Sequence, residues 1–224
     1  MRLADQRSGP VATGTPGHLN GETAVAPVVT PLIVDEARWL AARLLCGSGT
    51  RWEHARAVAS RAALAASVLS PDERPLLVAA AWVHDIGYAP AVRRTGFHPL
   101  DGALYLRDRG WPSTIVGLVA HHSGARFVAE VWGVGQLMRT FDANEYAYGP
   151  MADALTYADQ TTGPDGAVVT IDDRLADMLR RHGPDSPNAR AHALRAPALR
   201  AAVHRTERRL QRIGLESTAH EQAQ

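Results

Sequence analysis

Apolar residues recur at helical spacing along most of this chain, and seldom in the alternation of a half-buried strand. Over 34–45, Leu40, Leu44 and Leu45 mark one face of a helix that stops at Gly47 and Gly49. A second helix spans 52–69, with Ala55, Val58, Ala62 and Leu69 as its apolar stripe, and ends at Ser70-Pro71. The third, 73–86, admits Pro75 in its first turn and is broken by Gly87. Helices over 99–108 and 113–122 follow, and a weaker pattern interrupted by Gly133 and Gly135 runs on to Phe141. After a loop over 142–150 comes a helix at 151–160, then a turn at 161–166. Val168-Val169-Thr170-Ile171 is the one convincing β-like run and is too short to build a sheet. Two polar helices, 172–181 and 189–212, have the pattern of packing or interface elements. The pattern predicts an all-α fold. Its core covers 31–166, further C-terminal helices at 167–214 pack on it, and aperiodic, disordered tails occupy 1–30 and 215–224.

Composition narrows the function classes. A chain of 224 residues with 46% hydrophobic content can bury a stable single core. A net charge of +1 supplies no basic field for a nucleic-acid duplex or an anionic membrane. Every basic residue is arginine, so lysine chemistry is unavailable and a phosphate has to be held by arginine, histidine, backbone or metal. Cys46 is the single cysteine, which rules out a disulfide framework within the chain. No apolar stretch reaches 18 residues and the N-terminus lacks a signal-peptide pattern, so a cytoplasmic protein is expected.

Candidate chemistry sits at His84-Asp85, the end of the apolar run AAAWV. Burying an imidazole or a carboxylate without a partner costs roughly 2–7 kcal/mol or more, and a metal ion is one partner that satisfies both. His54, His98, His121, His122 and Asp159 also lie near apolar helix faces or helix ends. Imidazole with carboxylate suits divalent Fe, Mn, Co, Ni or Zn, and the lack of thiolates argues against a structural zinc site. Neighbouring residues diverge within a regular helix, but His84 and Asp85 can converge where the chain is about to turn at Gly87. With two oxygens, Asp85 can bridge two ions. The remaining histidines, His18, His182, His192, His204 and His220, fall on polar segments or the N-terminal tail and are expected in solvent.

The series His54, His84-Asp85, Asp159 resembles the HD-domain superfamily of metal-dependent phosphohydrolases, whose signature H…HD…D lies on an all-α bundle. The histidines of GFHPLDGA and VAHHSGA extend it to the H…HD…H…H…D pattern of the dinuclear branch. The resemblance covers about half of the chain. It implies an HD-domain helical bundle in which His54, His84, Asp85 and Asp159 hold one ion. Asp85 bridges, and His98 with His121 or His122 holds a second. Similar paired histidines favour His121 as the ligand, leaving His122 to touch substrate or a further ion. His98, ahead of Pro99, also stands where a helix N-cap would. The resemblance implies hydrolysis of a phosphomonoester or phosphodiester of a nucleotide-like or small phosphorylated metabolite, with metal-activated water as nucleophile and Asp85, His121 and His122 as catalytic residues. Mixed-valent di-iron oxygenases of the superfamily share this ligand set, and a non-catalytic regulatory protein is the third class. The cyclic-dinucleotide-cleaving branch is disfavoured, because no lysine follows HD and HHSGARF replaces its second motif.

Arg93, Arg94 and Arg126 lie close in sequence to these histidines and are candidate phosphate clamps. Asp101, three residues after His98, is a candidate hydrogen-bond partner for a ligand imidazole. The polar C-terminal helices are candidate surfaces for a homodimer.

Overall fold

A largely apolar helix, ERPLLVAAAWV, lies at the centre of the fold. The computed structural model describes residues 30–141, 146 and 148–214. In it α1 (Thr30–Leu45) and α2 (Arg51–Ala65) pack against that central helix, α3 (Glu73–Val83). Ala79, Ala80 and Ala81 are all fully buried. Side chains this small let neighbouring helices approach closely on several sides at once. α4 (His98–Arg107) pairs with α5 (Ser113–His121), which reaches α3 in turn. α6 (Ala125–Trp132) and the single turn α7 (Gly135–Met138) follow. α8 (Pro150–Gln160) then returns to the centre beside α2 and α3, and every residue over 152–160 is buried. Leu77, Leu100, Leu106, Ile115, Leu118 and Leu155 fill the space between these helices. Burial of side chains this size contributes about 1.5–3 kcal/mol each.

Beyond the centre, α9 (Ile171–His182), the short α10 (Pro187–Arg190) and the long α11 (His192–Arg212) lie over α8 and α6. Leu199, Val203 and Leu210 of α11 face inward. Its polar side makes a specific tie: Asp153 of α8, 2% exposed, accepts two hydrogen bonds from Arg205, at 2.9 and 2.5 Å, and one from Arg209 at 2.8 Å.

The all-α expectation holds: the described residues contain no strand. The β-like run reduces to one isolated bridge, Thr162 with Val168, because the turn between them closes too quickly for a ladder. Three helices are shorter than the hydrophobic pattern implies. α2 tightens into a 3-10 turn at Ala66–Val68, and the long C-terminal stretch is divided at Ala191. α3 stops at Val83 because Asp85 leaves helical geometry (φ −100°, ψ 6°) before a 3-10 turn at Ile86–Tyr88. The expected tails, apart from Thr30, and residues 142–145 and 147 of the expected loop lie outside the described residues.

Candidate metal centre

Four helix ends and one residue near the start of α2 deliver the site. His54 enters from α2, whose buried face also carries Val58 and Ala62 one and two turns on. Asp159 enters from the last turn of α8. His84 and Asp85 come from the end of α3, where the break in geometry at Asp85 lets two consecutive side chains face one space. His98 opens α4. Its ring stacks on Tyr88 with centroids 3.9 Å apart, and the Arg51 guanidinium covers the other part of this stack, 3.3 Å from the Tyr88 centroid. Gly87 makes the junction possible. A Cβ there would collide with the carbonyl oxygen of His98 and come within 2.8 Å of the Gly102 nitrogen, and neither backbone atom can move aside.

His122 reaches the site because α5 unwinds at its end. His122 is extended (ψ 151°), Ser123 takes a left-handed conformation (φ 53°) and Gly124 does the same (φ 66°). This turn sends the paired histidines in different directions. His121 donates from Nε2 to the carbonyl of Phe141 at 2.9 Å, whereas His122 Nε2 stands 3.2 Å from His98 Nε2 and 3.8 Å from Asp85 Oδ1. The structure therefore brings His122 into the cluster in place of the favoured His121.

The nitrogen and oxygen atoms fall into two groups that share Asp85. His54, His84 and Asp85 can converge on one point, and Asp85, His98 and His122 on another. Asp159 Oδ1 lies beside the first group, 3.1 Å from His54 Nε2 and 4.0 Å from His84 Nε2. Asp85 Oδ1 lies 3.6 Å from His84 Nε2 and 3.4 Å from His98 Nε2. Three imidazoles are fixed in one tautomer by backbone carbonyls, which can only accept. His54 Nδ1 donates to Gly163 at 2.8 Å, His84 Nδ1 to Ala81 at 2.7 Å and His122 Nδ1 to Val119 at 2.6 Å. Each neutral ring thus turns its Nε2 lone pair into the cluster. His84 Nε2 is buried there with no hydrogen-bond partner. When these rings are neutral, their lone pairs crowd the two carboxylates, an arrangement a cation resolves, so the residues fit divalent metal ions.

Burial opposes every charge here, and the neighbours decide which charges persist. It would raise Asp85 and Asp159. The surrounding imidazoles, and His54's hydrogen bond to Asp159, outweigh it and hold both carboxyls well below their usual range. For His54 and His122 burial is again opposed, by the facing carboxylates, and both are raised above 6.5. For His84 and His98 burial prevails and both are lowered.

The residues around the centre differ from those expected. Arg93 and Arg94 are exposed, Arg94 pairs with Asp108 at 2.7 Å, and neither arginine lines the cavity over the cluster. Arg126 lies over the rings of Phe127 and Tyr148 beside a separate pocket. Asp101 touches no imidazole. It is fully buried and accepts from the Thr95 and Gly96 amides at 2.7 and 3.0 Å, holding the loop that leads into His98. His98 does not act as an N-cap: it is the first helical residue and its side chain turns to Asp85 and His122.

The cations in the cavity come instead from the start of α2 and from the C-terminal helices. A cavity of about 600 Å³ opens over His54, Asp85, His98, His122 and Asp159, and Arg51, Arg174, Arg181 and Arg195 line it. Arg51 Nη1 is 3.6 Å from Asp85 Oδ2, and Arg174 Nη2 is 3.7 Å from Asp159 Oδ1. Phe97 and Trp132, ring centroids 5.7 Å apart, give the cavity an aromatic wall. His182 is exposed, as expected, and lies at this rim. Ser123 was also missed: its hydroxyl donates to Asp159 Oδ2, which Gln160 Nε2 also contacts at 2.9 Å. Only the positive φ at Ser123 places it there, and no periodic pattern signals that.

Among known proteins, a family model described as HD domain matches residues 51–175, more than half of the chain. No curated protein and no solved structure matches.

Proposed function

From the premise that the chain belongs to the HD domain family, we propose that it is a metal-dependent phosphohydrolase acting on a phosphate ester of a nucleotide-like or small phosphorylated metabolite. The observation that carries this reading is the sharing of Asp85 between two groups of ligand atoms. His54, His84, Asp85 and Asp159 would hold one ion, and Asp85, His98 and His122 a second. Divalent ions bound there supply a water of lowered pKa and a positive field for phosphate oxygens.

The protein's own groups complete the site. Asp85 and Asp159 stay ionised at neutral pH because their carboxyls are held so low, so ligation costs them no proton. Arg51 is the cation nearest the shared carboxylate, and its fork suits two oxygens of a phosphate. Its position depends on the Tyr88 ring, which also orients His98. The Phe97–Trp132 wall offers a flat apolar surface to a ring on the substrate, which supports a nucleotide-like ligand.

Protein purified without oxygen and supplied with Mn, Fe or Co is expected to release phosphate from a member of a nucleotide and sugar-phosphate panel. Asp85→Asn should abolish that release. A metal-loaded sample inert across the panel would count against the proposal. Oxygen consumption with a mixed-valent EPR signal would replace it by the di-iron oxygenase that the same donor set allows.

A further inference from the structure

Arg174 is a half-buried guanidinium held by two long ion pairs and by no hydrogen bond at its buried nitrogens. Its Nε and Nη1 are buried and make no hydrogen bond, and two carboxylates stand near it, at 3.7 Å (Asp159) and 3.9 Å (Asp177). Both are engaged elsewhere. Asp159 takes His54 on one oxygen and Ser123 and Gln160 on the other, and Asp177 takes Arg181 at 2.7 Å and Arg180 at 3.2 Å. Unsatisfied buried donors are uncommon in folded proteins, and each one calls for an explanation.

A second cation in the same cavity faces no carboxylate within ion-pair distance among the described residues. Arg195 is 8% exposed, donates from Nε to the Ser123 carbonyl at 2.7 Å and from Nη1 to Asn188 at 3.2 Å, and forms no ion pair among the described residues. Burial pushes it down to about 10. Arg174 and Arg195 lie within reach of each other's charge. After burial, the charges of Arg181, Arg195, Arg51 and Arg174 together lower the imidazole of His182 at the rim. The cavity therefore has a positive end formed by α9 and α11. Arg174 lies at the edge of the segment matched by the family model, and Arg181 and Arg195 lie beyond it. A volume of about 600 Å³ leaves room for far more than one phosphate.

We propose that Arg174 and Arg195, with Arg181 at the rim, form a subsite for a second phosphoryl group, so that the substrate is an ester of a condensed phosphate containing a P–O–P linkage. The naming of a substrate rests on the phosphohydrolase reading, whereas the anion subsite does not. With one phosphate over the Asp85 cluster, a phosphate joined to it falls to the guanidiniums next to Asp159. A guanidinium fork recognises the oxygens of such a group bidentately.

The test titrates the full-length chain, as purified and after demetallation, with methylenediphosphonate and with orthophosphate, by calorimetry. Methylenediphosphonate keeps both phosphoryl groups but has no P–O–P bond to cleave. It is expected to bind the demetallated chain about tenfold or more tighter than orthophosphate, and Arg174→Gln should bring the two within about threefold. Arg174→Gln should leave the melting temperature unchanged or raise it, since its guanidinium lacks hydrogen bonds; a drop would assign Arg174 a structural role and overturn the proposal. Arg195→Gln risks the Ser123 turn, so the exposed Arg181→Gln is the second variant, expected to weaken methylenediphosphonate more than orthophosphate. His98→Ala is expected to lose metal yet keep the preference. If the preference is absent, or survives Arg174→Gln, the subsite is wrong even where metal binding and hydrolysis stand. If hydrolysis fails while the preference behaves as expected, the subsite stands and the phosphohydrolase reading falls.

Discussion

His121 and His122 show what a single backbone angle decides. Both are buried, both end the same apolar helix, and likeness to other paired histidines favours His121. The extended ψ of His122 and the left-handed Ser123 send one ring to Phe141 and the other to Asp85. His122→Ala should weaken metal binding by more than about tenfold, since supporting residues alone are worth that much. His121→Ala should leave metal binding intact and cost about 1–3 kcal/mol of stability by orphaning a carbonyl. Metal titration and thermal melts on the two variants separate these outcomes. Metal binding should also depend on pH in a stated sense. His54 and His122 are held above 6.5 by the carboxylates they face, so each must lose a proton to become a ligand. Protons thus compete below those raised pKa values, and affinity should climb from pH about 6 to about 8. A flat profile would mean that neither ring is displaced from its proton. Sequence proximity failed for the arginines. Arg93, Arg94 and Arg126 are near the histidines along the chain but face elsewhere, whereas Arg174 and Arg195 arrive from helices with no motif.

Helix interiors were legible from periodicity and helix ends were not. The stripe of α2 and the continuous apolar run of α3 follow from burial on one side or on several sides, and both are written in residue type. The ends of α3 and α5 depend on φ and ψ at Asp85 and Ser123, which composition does not fix, and those ends deliver half of the site. Gly87 is the exception, a helix breaker visible in sequence whose real task is close approach to α4. Gly87→Ala should therefore do more than loosen a turn. It should displace His98, lower stability by about 1–3 kcal/mol through overpacking, and reduce metal content more than stability alone explains. A Gly87→Ala protein with unaltered metal content would show that α4 need not sit so close.

At the scale of the molecule, the C-terminal helices complete the cavity and need a fixed seat. Asp153 supplies it by joining α8, which carries Asp159, to α11, which carries Arg195. The Asp153 carboxylate is buried but its arginine partners are partly exposed and can swing into water when it is removed. Asp153→Ala should therefore cost about 2 kcal/mol, less than breaking a fully buried pair. For a chain of this length that corresponds to a fall of roughly 4–8 °C in melting temperature. An unchanged melt would mean that apolar packing alone seats α11. The central claim is that one carboxylate, Asp85, joins two metal positions. Elemental analysis of anaerobically purified protein, wild type beside His98→Ala, tests it most directly. The structure predicts about two ions per chain falling to about one. One ion or none in the wild type, or a content that His98→Ala leaves unchanged, would contradict it.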